Sequence, residues 1–460
     1  MTISPFDTIA AVSTPFGKGG VAVIRLSGEE ALTVADRVFF PVSRKSLTDM
    51  SPRTAVYGLI RDPDSGEVLD DGLCTVFKAP HSFTGEDTVE LSCHGGVLVT
   101  RNVLEACLRA GARQALAGEF TRRAYMNGKL ELERAEALGN LLDAGNDEQV
   151  KLARAGMNGL LTSSAEGVYT DLMAVLANME AGMDFPEEDL TEMPFEEIRA
   201  AIVKAETTVR GLVDTYRTGR AIAEGIPAVI CGRPNVGKSA FYNRLVGREA
   251  AIVTEIAGTT RDILTDTVTV GRVTLRLSDT AGLRESDDPV ERIGVERARK
   301  ALDEAELVLA LTDTAGTDPE TETLIESLTG EGRTVIRIYT KGDLHPERTT
   351  IPADGVPTVC LSSVTGEGFD RLTAAVEAAF IDRDLRMGEE AVVFSARQAA
   401  ALRETAAYLR TARENLDAGL PYDVCADDIR AAMGELGMLC GRETGEEVIS
   451  EIFSRFCVGK

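Results

Sequence analysis

The segment from Gly232 to Ser239, GRPNVGKS, constrains the fold more than any other part of the chain. It fits the pattern G-x-x-x-x-G-K-[ST], follows the apolar run IPAVIC and precedes a helical pattern, the context in which that pattern forms a phosphate-binding loop. Further strand patterns, TLRLS, LVLALT, TVIRIY and PTVCLS, alternate with helical ones. Residues 222–383 are therefore predicted to form a mostly parallel α/β sheet covered on both faces.

The sequence on either side of this region has a different character. Residues 1–120 combine short strand patterns, at 21–26 and near 73–78 and 88–92, with a helical segment, which is typical of an α+β domain. From residue 121 the pattern turns helical, and apolar residues recur at steps of three and four. The clearest stripes are Ile198, Ile202, Ala205, Val209, Leu212 and Tyr216; Leu402, Ala406, Leu409, Ala412 and Leu416; and, in a last helix, Ile449, Ile452, Phe453 and Phe456. We predict an all-α domain of residues 121–221 and 384–460, into which the α/β domain is inserted.

Composition narrows the possible functions. The 460-residue chain has a formal net charge of -25, so any RNA contact must come from a local basic group such as Arg113, Arg122, Arg123 and Lys129. The eight cysteines form no C-x-x-C pair and there are three histidines, which argues against a zinc cluster or a disulfide framework. No apolar run is long enough to cross a bilayer and the start lacks a targeting pattern, so we expect a cytoplasmic protein without a membrane segment.

The phosphate loop predicts which residues contact a nucleotide. Glycines let backbone N–H groups surround the phosphates, Lys238 reaches the β and γ oxygens, and the Ser239 hydroxyl binds magnesium. The predicted nucleotide-binding residues of this loop are Asn235, Val236, Gly237, Lys238, Ser239 and Ala240.

A second motif predicts that the base is guanine. After the strand TVIRIY, Asp343 of T-K-G-D can accept hydrogen bonds from N1–H and the 2-amino group of guanine, a pair that adenine does not offer. Lys341 belongs to the same motif, and Ser362, Ser363 and Val364 follow the next strand. Thr340 replaces the commoner Asn, so we expect the loop to lack a bracing amide and the base affinity to be modest.

Two segments between these motifs have the spacing of a nucleotide switch. Asp279 in D-T-A-G would hold magnesium through water, and the N–H of Gly282 would contact the γ-phosphate. Thr280 and Ala281 of the same motif are also predicted to bind GTP. Thr260 would bind magnesium only when that phosphate is present. No glutamine follows D-T-A-G to orient the attacking water, and hydrolysis still needs a positive charge where negative charge develops between the β and γ phosphates. Asn235, together with the residues around GTTRD, is typical of GTPases in which potassium supplies that charge. The remaining predicted GTP-binding residues are Thr254, Glu255, Ile256, Ala257, Gly258 and Thr259.

Over essentially its whole length the chain resembles the MnmE family, also called TrmE, of tRNA uridine modification GTPases. The resemblance is carried by DTIAAVSTPFGKGGVAVIRLSG, PHSFTGEDTVELSCHGG, AGEFTRRAYMNGKLELERAEA, GRPNVGKS, EIAGTTRD, DTAGLRESDDPVERIG and FCVGK. It implies an N-terminal folate-binding and dimerisation domain at 1–120, the helical domain, and an inserted Ras-like G domain. It also implies a homodimer whose G domains pair during potassium-stimulated GTP hydrolysis.

The resemblance also implies roles for single residues. Potassium ligands would be Asn235, Thr254, Ile256 and Thr259, and magnesium ligands Ser239 and Thr260. Glu291 would orient the attacking water, although the residues alone favour a solvent-facing helix glutamate paired with Arg292 or Arg297. Cys457 would be catalytic, although a cysteine beside Phe456 also suits a buried apolar position. Folate contacts would be Arg25, Glu90, Lys129 and Lys460, of which the first three otherwise read as surface charges.

The resemblance finally implies a reaction and its partners. With the flavoprotein MnmG, in a heterotetramer, the chain would add an aminomethyl or carboxymethylaminomethyl group to carbon 5 of the wobble uridine of tRNA. The one-carbon unit would come from 5-formyl- or 5,10-methylene-tetrahydrofolate. Three other readings stay open: a ribosome-assembly GTPase, a folate-dependent transferase with an incidental nucleotide domain, and a structural scaffold.

Overall fold

The computed structural model describes residues 7–184, 193–248, 266–278, 300–313, 318–344, 354–442, 445–454 and 456–460. Its contacts divide the chain into two compact units, Met1–Gly139 with Cys440–Lys460, and Asn140–Leu439. The three-domain division expected from the sequence is a different partition and stays a prediction. Across the described ranges, no helix has the length and apolar character needed to span a membrane.

The N-terminal elements form a mixed α+β arrangement. They are β1 (Ile9–Val12), β2 (Val21–Ser27), α1 (Ala31–Asp36), β3 (Phe39–Pro41), β4 (Ala55–Arg61), β5 (Val68–Phe77), β6 (Thr88–His94), α2 (Val97–Arg109), β7 (Arg113–Gln114), α3 (Glu119–Met126) and α4 (Leu132–Asp143), with a 3-10 turn at Leu47–Asp49. The strands lie in the order β3-β4-β5-β6-β2-β1-β7. All pairings are antiparallel except that of β1 with β7.

The remaining elements alternate helices with a second sheet. They are α5 (Asp147–Met157), α6 (Leu160–Asp184), α7 (Phe195–Asp214), α8 (Tyr216–Ala223), β8 (Ile226–Cys231), α9 (Lys238–Arg248), β9 (Asp266–Val270), β10 (Val273–Leu277), β11 (Leu307–Asp313), α10 (Pro319–Gly330), β12 (Thr334–Thr340), β13 (Thr358–Cys360), α11 (Phe369–Phe380), α12 (Ala396–Asp417), α13 (Tyr422–Leu439) and α14 (Glu446–Ser454).

The first sheet has one apolar face and one polar face. Along β2, Ala22, Ile24 and Leu26 are buried in a core shared with α1 and α2, whereas Arg25 points to the opposite face. The opposite face carries a smaller apolar cluster that includes Phe120 at the start of α3. The sheet therefore leaves polar side chains of β2 and β6 available on the face away from its main core.

A network of charges lies on that polar side of the first unit. The Arg123 side chain is only 7% exposed, and it donates to Glu119, Glu86 and the Asp7 carbonyl. Arg113 donates to both oxygens of Glu119 at 3.1 and 2.6 Å. Burial alone would raise the pKa of Glu119, but these arginines and the Leu116 N–H lower it overall. The ionised carboxylate thus joins α3 to the strands beneath it.

The second sheet is parallel with one antiparallel edge. Its order is β13-β12-β11-β8-β10-β9, and every pairing except that of β9 with β10 is parallel. Residues Leu307–Thr312 of β11 are buried without a break, as expected for a strand covered on both faces. The mostly parallel sheet predicted for residues 222–383 is confirmed. A two-residue turn, Gly271-Arg272, joins β9 to β10.

A bundle of α6, α7, α12 and α13 accounts for the first two helical stripes, whereas the third, on and just after α14, packs in the first unit. The predicted apolar residues of α7 and α12 are buried, apart from Tyr216. Tyr216 begins a new helix, α8, because the chain breaks at Thr215. The Thr215 hydroxyl donates to the Leu212 carbonyl at 2.7 Å and accepts from the Val393 N–H at 3.0 Å. The continuous helix expected through Tyr216 is therefore wrong.

Glu119→Gln tests the buried charge network. We expect the variant to lower the free energy of unfolding of the first unit by about 3 kcal/mol at neutral pH, because two arginines lose their shared anion. The folded-state pKa of Glu119 is lowered, so its contribution is present above the ordinary value of 4.5 and is lost as pH falls through the folded-state pKa. The gap between wild type and variant should therefore narrow below about pH 4.5. Denaturant-dependent hydrogen exchange of amides in β1 and α3 measures the free energy of unfolding of each protein.

The control is Glu105→Gln, which removes an exposed partner of Arg101 and should change stability little at any pH. A gap between wild type and Glu119→Gln that stays constant from neutral pH to well below pH 4.5 would contradict the assignment.

Candidate functional site

The phosphate loop runs from the end of β8 to the start of α9. Three of its residues have a positive φ: Gly232 at 141°, Asn235 at 66° and Gly237 at 97°. A Cβ on Gly232 would lie 2.2 Å from the carbonyl oxygen of Leu311 in β11, so no side chain fits there. Left-handed residues in such a loop direct successive N–H groups to one side, which makes an anion-binding concavity.

Lys238 and Ser239 form the first turn of α9 beside this loop. The Lys238 ammonium donates to the carbonyls of Gly232 at 2.8 Å and Arg233 at 2.7 Å. Burial lowers the pKa of Lys238. A lysine, a helix N-terminus and a left-handed loop fit a bound phosphate, and the exposed Ser239 side chain suits a magnesium ligand.

The T-K-G-D loop, residues 340–343, is held against the phosphate loop by Thr340. Its buried hydroxyl lies 2.6 Å from the carbonyl oxygen of Val236 and 3.1 Å from that of Thr312. The hydroxyl therefore braces the loop in place of the missing amide, and the expectation of a modest base affinity stays a prediction. The contact joins residues 104 positions apart, so the sequence did not reveal it.

The other predicted guanine-site residues lie close to one another. The Gly342 N–H donates to the Leu361 carbonyl at 3.1 Å, which joins the T-K-G-D loop to the loop that carries Ser362, Ser363 and Val364. The Ser362 hydroxyl accepts from the Val364 N–H at 3.2 Å. Lys341 has a φ of 58° and pairs with Asp313 at 2.7 Å. Asp343 is exposed at the tip of its loop. Sequence reasoning missed Asp313, although its place at the end of β11 was a usable signal.

Several predicted residues lie outside the described ranges. They are Thr254, Glu255, Ile256, Ala257, Gly258, Thr259, Thr260, Asp279, Thr280, Ala281, Gly282 and Glu291. The structure therefore describes Asn235 from the potassium set and Ser239 from the magnesium set.

Arg25 and Glu90 meet on the polar face of the first sheet. They are directly opposed in the register of β2 with β6, and Nε and Nη2 of Arg25 each lie 2.9 Å from Oε1 of Glu90. The Arg25 guanidinium lies 5.6 Å from the centre of the Phe120 ring and 5.7 Å from that of Phe83. The two expected folate contacts therefore form one ion pair between aromatic rings.

The C-terminal tail is held to the first unit by its main chain. Val458 bridges Ala117, the Phe120 N–H donates to the Lys460 oxygen at 3.2 Å, and the Ser13 hydroxyl donates to the Gly459 carbonyl at 3.1 Å. A Cβ on Gly459, whose φ is 101°, would lie 2.0 Å from the carbonyl oxygen of Val12. The backbone of the tail is therefore fixed to the first unit.

Phe120 connects the tail to the ion pair. Its N–H binds the Lys460 oxygen and its ring lies beside the Arg25 guanidinium. Cys457, three residues earlier in the tail, is exposed. Phe120 thus contacts both Arg25 and the main chain of Lys460; sequence reasoning did not select it, and the AGEFTRR stretch was the available signal.

Lys129 lines a cavity of about 1390 Å³ within the first unit. Its lining includes Arg122, Arg123, Glu86 and, from α14, Ser450 and Ser454, as well as Ala117, which pairs with Val458 of the tail. Arg25, Glu90, Cys457 and Lys460 are not among the described residues that line it. The structure therefore pairs Arg25 with Glu90, holds the main chain of Lys460 against Phe120 and places Lys129 at this cavity.

Two family models and several curated relatives match most of the chain. A model described as "GTP-binding protein TrmE N-terminus" matches residues 8–129, and one described as "MnmE helical domain" matches residues 132–457. The tRNA modification GTPase MnmE of Symbiobacterium thermophilum is 45% identical over 459 residues, which are 99% of each chain. The chain belongs to the MnmE family. MnmE proteins of Acetivibrio thermocellus and Bacillus subtilis are 38% and 39% identical, each over 99% of this chain and 99% and 100% of their own.

Among solved structures, the G domain of the T. maritima FeoB iron transporter is 31% identical over 33% of this chain and 97% of its own, with a TM-score of 0.24. A superposition at that level does not bear on the function. Membership of the MnmE family confirms the predicted fold class, with an α+β N-terminal domain, a helical domain and a P-loop α/β domain. It also makes the chain a GTP hydrolase.

Substitutions at Thr340 test the brace between the two loops. Thr340→Val removes the hydroxyl and leaves the buried carbonyl of Val236 without its donor, so we expect GDP affinity to fall about tenfold. Thr340→Ser keeps the donor and should restore affinity to within about twofold of wild type. Thr340→Asn offers two donors to the two carbonyls and should bind at least as tightly as wild type. Displacement of a fluorescent GDP analogue gives each affinity.

Thr323→Val is the matched control, because that exposed hydroxyl contacts a carbonyl of its own helix, α10. Equal affinities for wild type and Thr340→Val would contradict the assigned brace.

Proposed function

We propose that the chain is a potassium-dependent GTPase of tRNA modification. Together with the flavoprotein MnmG it adds an aminomethyl or carboxymethylaminomethyl group to carbon 5 of the wobble uridine. The observation that supports this proposal is the tail with Cys457 and Lys460, whose main chain is bonded to Gly118 and Phe120, in a family of tRNA modification GTPases. The Phe120 ring in turn lies beside Arg25 of the Arg25–Glu90 pair. The division into a folate-binding domain at 1–120, a helical domain at 121–221 and 384–460, and a G domain at 222–383 is part of the proposal.

The nucleotide site provides for binding and for part of the hydrolysis chemistry. Lys238 neutralises the β and γ phosphates, Ser239 and Thr260 bind magnesium, and Asp343 selects guanine. Potassium, held by Asn235 together with Thr254, Ile256 and Thr259, supplies positive charge between the phosphates. The described part of this set fits that role, since Asn235 is exposed in the phosphate loop itself. Glu291 orients the attacking water.

The Arg25–Glu90 pair suits the pterin ring of tetrahydrofolate. That ring has a 2-amino-4-oxo edge like that of guanine, which a carboxylate binds through two hydrogen bonds. Arg25 contacts Oε1 of Glu90, and a carboxylate has about four acceptor positions. We assign Arg25 to orienting this carboxylate, whereas Lys129 and Lys460 bind the anionic glutamate of folate. The cofactor, as 5-formyl- or 5,10-methylene-tetrahydrofolate, supplies the one-carbon unit.

Cys457 is the residue that we assign to the modification chemistry. Its side chain is exposed, whereas the backbone from Cys457 onward is held by Ser13, which follows β1, and by residues at the start of α3. An exposed thiol on a fixed backbone can meet a substrate in a reproducible position.

A second copy of the chain covers the outer face of the first sheet in this proposal. Tyr57 and Leu73, directly opposed on β4 and β5, are 53% and 45% exposed, and Phe40 on β3 is 44% exposed. Neighbouring apolar side chains on one exposed sheet face are typical of a protein interface. Sedimentation velocity of the purified chain tests the pairing, and a monomer at micromolar concentration would contradict it.

Complementation tests the proposed function. Cells that lack the protein should lose the modified wobble nucleosides, and wild type should restore them. Cys457→Ser and Glu90→Gln should fail to restore them while both variants still hydrolyse GTP, because neither residue lies at the nucleotide loops. Mass spectrometry of nucleosides from purified tRNA gives the readout.

Cys440→Ser is the matched control, since Cys440 is a half-buried cysteine of the same unit and should complement fully. Unchanged wobble nucleosides in cells without the protein would refute the function. Full complementation by Cys457→Ser would refute only the role of the thiol and not the proposed function.

A further inference from the structure

The hairpin formed by β9 and β10 links the two predicted switch segments. GTTRD, residues 258–262, ends just before β9 begins at Asp266, and D-T-A-G begins at Asp279, just after β10 ends at Leu277. Any movement of these segments that depends on the γ-phosphate therefore acts on both ends of the hairpin. The contacts that the hairpin makes with other elements therefore decide which part of the molecule moves with it.

Thr274, the second residue of β10, contacts the start of α5. Its hydroxyl oxygen lies 3.1 Å from Nδ2 of Asn146 and 3.4 Å from Nε2 of Gln149, and the residue is only 4% exposed. A hydroxyl oxygen has two lone pairs and can accept from both amides. Thr274 also lies against Gly225, where a Cβ would be 3.0 Å from the Thr274 carbonyl oxygen. The hairpin therefore meets both α5 and the connection from α8 to β8.

The two amides that hold Thr274 also hold the start of α5. Oδ1 of Asn146 caps the helix by accepting from the Gln149 N–H at 2.9 Å. Oε1 of Gln149 accepts from the Gly145 N–H at 2.7 Å, and its Nε2 donates to the Ile222 carbonyl at 3.0 Å. Each amide thus uses its oxygen within the α5 cap and its nitrogen on a neighbouring segment. A shift of the hairpin cannot leave the cap unchanged.

The turn of the hairpin is held in a similar way. The Arg272 N–H donates to Oε1 of Glu377 in α11 at 2.9 Å, and its guanidinium lies 3.4 Å from Oε2 of Glu148 in α5. A Cβ on Gly271, whose φ is 62°, would lie 2.2 Å from Oε1 of Glu377. The hairpin is therefore held at its turn and along β10, and side chains at the start of α5 contribute to both contacts.

We propose that this hairpin transmits the nucleotide state to α5, and that the Thr274 hydroxyl is the positioning contact. The inference rests on the proposed function, because it explains how GTP hydrolysis reaches the helices outside the α/β sheet. Asn146 and Gln149 act with Thr274 as one unit. Loss of the hydroxyl leaves the nucleotide loops intact but separates them from α5.

Nucleotide-dependent hydrogen exchange tests the proposal on the full chain. In wild type, amides at the start of α5, residues 147–152, should exchange at different rates with GDP and with a non-hydrolysable GTP analogue, by about tenfold. Thr274→Val should remove most of that difference while the kcat and KM for GTP stay within about twofold of wild type. Thr274→Ser restores the hydroxyl and should restore the difference. The same variants, assayed for wobble uridine modification, should lose and regain activity in parallel.

Thr267→Val is the matched control, because Thr267 is an exposed threonine of β9 in the same hairpin. Equal exchange of the α5 amides in the two nucleotide states of wild type overturns the inference, as does a difference that survives in Thr274→Val. If wild type shows the difference but does not modify tRNA, the proposed function fails and the hairpin coupling stands.

Discussion

The conformation of the phosphate loop is the constraint on which the nucleotide site depends. The loop passes so close to β11 that the carbonyl oxygen of Leu311 leaves no room for a side chain at Gly232. Thr340 at the end of β12 holds the same loop through the Val236 carbonyl. Three adjacent parallel strands, β8, β11 and β12, thus fix one binding edge at their carboxyl ends. A change in either neighbouring strand would alter the phosphate site without touching a phosphate.

A close backbone contact also fixes the C-terminal tail within the first unit. The tail is held through main-chain and Ser13 hydrogen bonds, and Gly459 is needed because its α-carbon lies against the Val12 carbonyl. Side chains such as Cys457 are left exposed, while Phe120 connects the tail to Arg25. Glu119 and Arg123 of α3 pair with Arg113 and Glu86, which fixes α3 and with it the position of Phe120.

Some of this architecture could be predicted from the sequence because its cause is local. The strands β8 and β11 are buried on both faces, so they read as nearly continuous apolar runs, and β12 has the same pattern apart from the buried Arg337. The edge strand β9, DTVTV, has few apolar residues and was missed. β4 was missed because Gly58 interrupts its pattern, although that glycine allows the close approach of the Phe40 carbonyl. The break at Thr215 depends on Val393, far away in the chain.

The site residues likewise divide into those that a local motif predicts and those that depend on contacts between distant parts of the chain. The phosphate loop and the T-K-G-D motif are contiguous, so their chemistry follows from spacing alone. Arg25 and Glu90 came from the family resemblance, and their ion pair appeared only with the register of β2 and β6. The Thr340 brace, the Phe120 link and the grip of Asn146 on Thr274 join distant parts of the chain. Long-range contacts of this kind leave no periodic pattern in a single sequence.

Phosphate release by the purified chain, measured with GTP and with ATP in potassium and in sodium buffers, tests the central claim most directly. The account predicts rapid turnover only with GTP in potassium, none with Lys238→Ala, and a loss of about 100-fold in Asn235→Ala. Equal rates in the two salts, or equal use of ATP and GTP, would contradict it.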